Sequence, residues 1–497
     1  MSLATATVRS AVWNHAGKIA EFLLMYVASL IVARGLGVAD NGVFASIVSL
    51  SQLLLVFSSF GLEAVINKCF PQLPPGTSAT ERSYLFRRIL ALRASLFALG
   101  AASVWLLSRI IPGLSGPTHD WLALLIAYAF SRSLIPLFAI ALTAEMRTDL
   151  TAIINVAARM IELLVLGWGS LTSLTLSFVM ATFVGSGVVQ LAAYMLVSRN
   201  FFAGAGAATV LRPALAFGGV FWLNSLVDYI LGRQGDIFLL SRLLPSTTFA
   251  SLYDVSYSTI QIAHLGATAG LAGVTFATFA RLSARSPSEM APFYHLLIRV
   301  VTLLTVPLFA FLLFNSEALV LSLYGSAFVG AAILIQGMAA FRILSRLFGG
   351  GENAEFLLSI GGVKRLVIAG VVAASCNAGL NLLLIPSLAA EGSVIASGTA
   401  NLLANSIGFM LIRRRVRLQP GFWAQMAIIS VVLSFGVSYI ETGSAVLTLL
   451  ARFALFCVLT VTSIFAFRVV SREDTRKVSD ALFSRIAPHV SDVKRNS

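Results

Sequence analysis

Between Ala214 and Leu244 the chain reads ALAFGGVFWLNSLVDYILGRQGDIFLLSRLL, long and apolar enough to cross a bilayer yet interrupted by Asp228, Arg233 and Asp236. A spanning helix needs about 20 residues, and each charge at mid-bilayer costs roughly 2.5–3.5 kcal/mol on insertion scales. Such charges are tolerated where the helix faces a protein interior or a wet cavity, so this segment demands neighbours. Ser225, Tyr229, Arg233 and Asp236 follow i, i+4, i+8, i+11 spacing and are predicted to share one helical stripe. A self-neutralising Arg233–Asp236 ion pair is the structural alternative.

The rest of the chain offers those neighbours. Hydrophobic residues make up 58% of it and charged residues 11%, with mean hydropathy +0.89, the profile of an integral membrane protein. Apolar runs from 11–33 to 444–467 predict about 14 transmembrane helices. Among them are spans at 42–66, 85–111, 121–144, 248–279 and 327–349. Short connections leave no room for a soluble domain. The first run continues to full spanning length, so a cleavable signal peptide is not expected. Cys69, Cys376 and Cys457 stand apart from one another and read as free thiols; neither a metal site nor a cofactor is expected.

Lys and Arg placement sets the orientation. One side holds Lys68, Arg87, Arg88, Arg199, Arg281, Lys364 and the run Arg413, Arg414, Arg415, Arg417. The other holds Arg34, Arg109 and Arg242 beside Asp40, Asp120, Glu317, Glu391 and Glu441. With an even span count both termini are predicted to be cytoplasmic. The net charge of +14 is then a topology signal, and no nucleic acid partner is implied.

An internal repeat runs at an offset of about 208 residues: ARGLGVADNGVFASIVSL early, SRLLPSTTFASLYDVSYST later. In both, Arg-x-Leu leads into a turn and then a small residue beside an aromatic. Six spans per unit predict an N-terminal bundle over 1–200 and a second over 201–417, enclosing a central cavity. Two additional helices over 418–470 and a cytoplasmic amphipathic tail over 471–497 complete the expected layout.

Four stretches carry a family resemblance. VARGLGVADNGVFASIVSLSQLLLVFSSFGLEAVINKCFPQL resembles the first hairpin of the polysaccharide (Wzx-type) lipid-linked oligosaccharide flippases of the multidrug/oligosaccharidyl-lipid/polysaccharide exporter superfamily. GRQGDIFLLSRLL with SLYDVSYST, SLYGSAFVGAAILIQGMA, and CNAGLNLLLIPSLAAEGSVIASGTANLL follow in the family's order. The resemblance implies an all-α, fourteen-helix, two-bundle fold. It also implies the flipping of undecaprenyl-diphosphate-linked glycans from cytoplasm to periplasm across the bacterial inner membrane. Membrane lipids and the polymerase and glycosyltransferases of the same pathway would be its partners. The family's usual glycine before the eighth span is replaced around Phe249–Ser251, which leaves that local turn open.

Polar stripes inside the spans supply the candidate site. Asn14, Lys18 and Glu21, then Asn155, Arg159 and Glu162, repeat i, i+4, i+7 spacing; Asp254, Tyr257, Gln261 and His264 share a face, as do Asn377 with Asn381. Guanidinium groups pair with phosphate bidentately and keep their charge in a low-dielectric site. Arg132, Arg159, Arg233 and Arg299 are therefore the expected substrate-binding residues. Arg159–Glu162 also fits a helix-packing pair, and the asparagines also fit interhelical glue. Arg93 and Arg452, nearer span ends, are expected to snorkel. Glu21, Asp228, Asp236 and Asp254 are the expected ion-coupling residues, carrying a proton or sodium ion; permanent pairing with Arg233 or Lys18 is the bland alternative. His264 fits a satisfied buried histidine. No nucleotide loop, metal-spacing cluster or nucleophile triad is present in the sequence, so an enzyme is not expected. A multidrug/cation antiporter of the same superfamily is the competing transporter class. A membrane glycan polymerase or ligase is the competing enzyme class, and the short external connections count against it.

Overall fold

The computed structural model describes residues 3–72, 79–110, 120–202, 211–268 and 271–466; the expected amphipathic tail lies outside them. Among the described residues there is no strand. The helices in the first half are α1 (Leu3–Ser59), α2 (Leu62–Gln72), α3 (Ala79–Ile110), α4 (Leu122–Ser133), α5 (Ile135–Ala144), α6 (Thr148–Ser170) and α7 (Leu176–Val197). Then come α8 (Leu211–Leu231), α9 (Arg233–Leu243), α10 (Thr248–Thr268), α11 (Ala272–Arg285), α12 (Met290–Leu323), α13 (Ala331–Ser345) and α14 (Gly351–Ser359). The chain ends with α15 (Val363–Ile412), α16 (Pro420–Val437) and α17 (Ala445–Ala466).

Two helices are too long for a single crossing. The 57 residues of α1 would run about 85 Å if straight, nearly three times a hydrocarbon core of about 30 Å. It reverses at Gly37, whose φ of 72° is open to glycine and strained for other residues. Helix α15 leaves helical geometry at Ala389 (φ 49°, ψ −128°). Ser393 Oγ then donates to Asn381 Oδ1 at 2.8 Å, two side chains that a straight helix would hold about 18 Å apart.

Shorter breaks have local causes. Phe60 and Gly61, both at positive φ, separate α1 from α2. Pro136 sits in the first turn of α5, where a missing N–H removes no helical bond. Gly232 separates α8 from α9, and a Cβ there would lie 2.6 Å from the Asp228 carbonyl oxygen. Among the described residues ten helices are long and apolar enough to cross a membrane. The expected fourteen exceeds that number for identifiable reasons. Ala16–Ser59 and Val363–Ile412 each contain a reversal. Residues 211–243 are cut at Gly232, and the described helix Thr248–Thr268 carries Tyr253, Asp254 and His264. Residues Phe249–Ser251 are already helical, the turn lying before Thr248.

Burial is inverted relative to a soluble protein. Leu196 and Leu383 are 74% and 72% exposed while Asp236 is 0% exposed, so apolar side chains form the outer belt. In the first half, Phe86 of α3 meets Phe138 of α5 and Phe201 at centroid distances of 5.1 and 5.0 Å. In the second, Leu240, Tyr253, Phe309, Phe328 and Ile335 bury into one cluster spanning α9, α10, α12 and α13. Helices α16 and α17 pack on α12, with Phe311 5.4 Å from Phe456. Arg452 does not snorkel. It donates to the Ile440 carbonyl at 2.8 Å and to Asn315 Oδ1 at 3.3 Å, tying α17 to α12.

The two repeated turns meet. Thr247 Oγ1 donates to the Ala39 carbonyl at 3.1 Å, and Gly42 packs directly on the Thr247 backbone, where any side chain would overlap it. Further along, Tyr229 of α8 donates to the Ser49 carbonyl at 3.3 Å and Trp222 to the Val56 carbonyl at 3.0 Å. The second limb of α1 is thus the seam on which the later half of the chain lies.

Candidate functional site

At that seam lies a cavity of about 620 Å³. Its polar lining includes Glu63 of α2, Arg93 of α3, Arg132 of α4, Asp228 of α8 and Arg233 of α9. The break at Gly232 is what delivers Arg233 here: it ends α8 and starts α9 with the arginine in its first turn. Arg233 Nε pairs with Asp254 Oδ1 of α10 at 3.5 Å, and Nη1 donates to Ser258 Oγ. Asp228 is exposed to the cavity and accepts a 2.9 Å hydrogen bond from Asn224.

Arg93 was expected to snorkel and instead is 2% exposed. It reaches Glu63 Oε1 at 3.4 Å and donates through Nε to the Ser133 carbonyl at 3.1 Å. It lies eight residues into the 85–111 run, deeper than the snorkelling expectation allowed. Nothing in the spacing linked it to Glu63, because those two helices are brought together only by packing.

Behind Arg132 lies a paired network in the first half. Arg132 donates to Glu162 Oε2 and Gln190 Oε1, both at 3.1 Å, and to Ser186 Oγ at 3.2 Å. Arg159 donates to both Glu162 oxygens at 3.1 and 3.0 Å and sits 3.6 Å from Glu21 Oε1. Glu21 in turn accepts from Asn155 at 3.2 Å. Glu162, at 1% exposure, is therefore shared between two arginines. Arg159 does not line the cavity; its i, i+3 pairing with Glu162 realises the packing alternative, and it holds Glu162 in place for Arg132. Lys18, the expected partner within the same stripe, is exposed.

Asp236 departs most from expectation. The helical break rotates α9 relative to α8, so Arg233 faces the cavity while Asp236 turns into the second half; the stripe through Ser225, Tyr229, Arg233 and Asp236 does not continue. Asp236 does not pair with Arg233. It accepts from Tyr253, from Asn377 at 3.0 Å and from Asn381 at 2.8 Å, with Tyr253 also reaching Ser397 at 3.3 Å. Asn377 and Asn381 are thus more than generic glue, since both converge on one carboxylate.

Arg299 lies elsewhere. Its Nε donates to Gln419 at 2.8 Å, its guanidinium sits 5.6 Å from the Phe422 ring, and it lines a separate pocket with His295 and Glu289. His264 lines a third pocket, inside the second half. Among the described residues no His, Cys, Asp and Glu cluster could hold a metal ion by side chains of those types alone.

A family model described as "Polysaccharide biosynthesis protein" matches residues 31–333. No curated protein matches the sequence. Among solved structures, the lipid II flippase MurJ in an inward closed conformation aligns with TM-score 0.69 at 11% identity, covering 94% of this chain and 99% of that one. An inward-facing multidrug resistance MATE family transporter of the MOP superfamily aligns with TM-score 0.59 at 12% identity, covering 82% and 95%. A MOP superfamily transporter from Pyrococcus furiosus aligns with TM-score 0.56 at 17% identity, also covering 82% and 95%. The fold is that of an all-α, multi-pass membrane transporter.

Proposed function

Because the chain belongs to the polysaccharide biosynthesis protein family, we propose that it flips an undecaprenyl-diphosphate-linked oligosaccharide from the cytoplasmic to the periplasmic leaflet. Residues 1–200 and 201–417 are the two moving bundles, 418–470 the added pair of helices, with fourteen spans in all and both termini cytoplasmic. The carrying observation is the cavity between the halves, about 620 Å³ with Arg93, Arg132 and Arg233 in its wall. That volume falls in the usual range for small-ligand sites, about 300–1,000 Å³. It suits a diphosphate and its first sugar, with the lipid tail remaining in the bilayer.

The three arginines have different tasks. Arg93 is taken up by Glu63, and Arg132 by Glu162. Arg233 is the most accessible of the three, its side chain 28% exposed against 2% for Arg93 and 12% for Arg132, and it pairs with Asp254 at 3.5 Å. A phosphate offers it two oxygens in bidentate geometry, a better partner than a single carboxylate oxygen. Cargo arrival at Arg233 therefore frees Asp254, and a diphosphate oxygen reaching Arg132 loosens its hold on Glu162. Ion coupling rests on the Asp236 cluster. Its carboxylate and the turned carboxamide oxygens of Asn377 and Asn381 can take a proton or a sodium ion.

The competing reading is a multidrug antiporter, favoured by the fold shared with the MATE transporter. The cavity charge counts against cationic cargo, with three arginines facing Glu63 and Asp228. The deciding experiment reconstitutes the purified chain into vesicles and follows accessibility of undecaprenyl-diphosphate-linked glycan to an external lectin. Wild type moves the lipid and an Arg132→Gln/Arg233→Gln variant inserts but does not. Movement of an organic cation without movement of the lipid would give the function to the antiporter reading.

A further inference from the structure

The second half carries its own polar cavity, of about 320 Å³, apart from the seam. It forms where the chain breaks between α13 and α14, at the end of the expected 327–349 span, over Gly349 (φ 91°) and Gly350. Arg346 is 6% exposed and uses one nitrogen: Nη1 donates to Glu352 at 3.3 and 3.1 Å. Its Nε and Nη2 have no acceptor among the described residues. These two N–H groups form the side-on fork of a guanidinium, the edge that takes two oxygens of one oxyanion. Gly350 lets this pair lie on bare backbone, where any side chain would collide with Arg346 and Glu352. Helix α14 begins at the Nη1 edge of Arg346 without a side-chain cap, and its first residues, Gly351 and Glu352, line the same cavity, so its unpaired N–H groups put the positive end of the helix dipole at the cavity wall. Arg342, one turn before Arg346, also lines the cavity, as do His264, whose Nδ1 lacks a partner, and Glu355.

We propose that this cavity is a binding site for a protonated phosphate, either free phosphate or a phosphate monoester. The vacant fork of Arg346, the uncapped start of α14 and Arg342 would hold the oxygens. Glu355 selects the protonated anion, because a carboxylate accepts the phosphate O–H and repels a fully ionised sulfate. Glu352 keeps Arg346 aligned through the opposite edge of the guanidinium. The site is independent of the cargo cavity, whose wall shares no residue with it.

The test is titration calorimetry on the full chain in detergent and phosphate-free buffer. Inorganic phosphate is expected to bind in the millimolar range or tighter, and sulfate about tenfold more weakly or worse. Arg342→Gln and Arg346→Lys each weaken phosphate by about tenfold or more. Glu355→Gln, which keeps the size of the side chain, removes the preference over sulfate. Arg132→Gln/Arg233→Gln leaves phosphate binding unchanged. Absence of phosphate binding by wild type overturns the proposal, as does equal binding of sulfate by wild type. Loss of binding in the Arg132/Arg233 variant, with Arg342→Gln intact, likewise assigns the anion to the cargo cavity and overturns it. Should Arg346→Lys fail to fold, Arg342→Gln and Glu355→Gln carry the test alone. Competition by vesicles containing phosphatidic acid assigns the monoester to lipid; lack of competition assigns free phosphate.

Discussion

Asn41, in the second limb of α1, donates a 2.8 Å hydrogen bond to Ser251 of α10 across 210 positions of the chain. Both are buried, at 2% and 0% exposure. Beside them the Thr247 hydroxyl holds the Ala39 carbonyl, and Arg34 donates to the Ser322 carbonyl at 2.9 Å. The halves are therefore latched through the repeat-related turns at one end. At the other end Lys68 lies 4.0 Å from the Phe217 ring. Any rocking that opens the cavity past the Gly37 turn must break the Asn41–Ser251 contact.

Covalent closure of that latch is expected to stop transport. In a chain whose Cys69, Cys376 and Cys457 are replaced by Ser, Asn41→Cys/Ser251→Cys puts one thiol on each side of the latch. Mild oxidation should abolish glycan flipping in vesicles, and a reductant should restore it. Full activity in quantitatively cross-linked protein would show that this end does not open.

Glu162 is expected to be the most sensitive acid of the first half. It serves Arg132 and Arg159 together, and its side chain is 1% exposed against 26% for Glu21. Removing one partner of a buried ion pair costs about 3–5 kcal/mol, because the other charge is stranded. Glu162→Gln should therefore lower the melting temperature of the purified protein far more than Glu21→Gln. Equal shifts would mean that the two arginines find another counter-charge.

What was legible in the sequence was whatever a single helix records. The apolar runs, the repeated Arg-x-Leu turns and the mid-span charges at Arg132, Arg233 and Asp236 all follow from local pattern. What was illegible depended on where helices break and which ones touch. Gly232 inside an apolar run gives no sign that α9 rotates away from α8, and that rotation separated Arg233 from Asp236. Arg93 with Glu63, and Asp236 with Asn377 and Asn381, meet only through tertiary packing. Arg299, like Arg233, is an arginine inside an apolar run, yet its helix turns it toward Gln419 rather than the seam.

Topology gives a prediction independent of any site. The run Arg413, Arg414, Arg415, Arg417 should hold its end of α15 in the cytoplasm, while Glu391 follows the reversal at Ala389 on the far side. A reporter fused after Arg417 should thus report cytoplasm, and one fused after Glu391 periplasm. A reversed result at either point would overturn the span count.

The coupling prediction rests on two adjacent residues of α10. Tyr253 donates to Asp236, and Asp254 pairs with Arg233 at the cavity wall. Asp236 is fully buried among the neutral donors Tyr253, Asn377 and Asn381, so its negative charge calls for a proton or a cation. When cargo phosphate takes Arg233, Asp254 is released and α10 is free to shift, carrying Tyr253 with it. Ion affinity at Asp236 then differs between the cargo-bound and cargo-free conformations, and that difference is what coupling requires. Asp236→Asn preserves size and keeps an acceptor for Tyr253, so the variant should fold. It is expected to bind undecaprenyl-diphosphate-linked glycan as wild type does, yet to lose the response of flipping to an imposed gradient. Vesicles loaded with separate pH and sodium gradients identify which ion is involved. A well-folded Asn variant that still responds fully to both gradients would remove Asp236 from the mechanism and leave Asp254 as the coupling carboxylate.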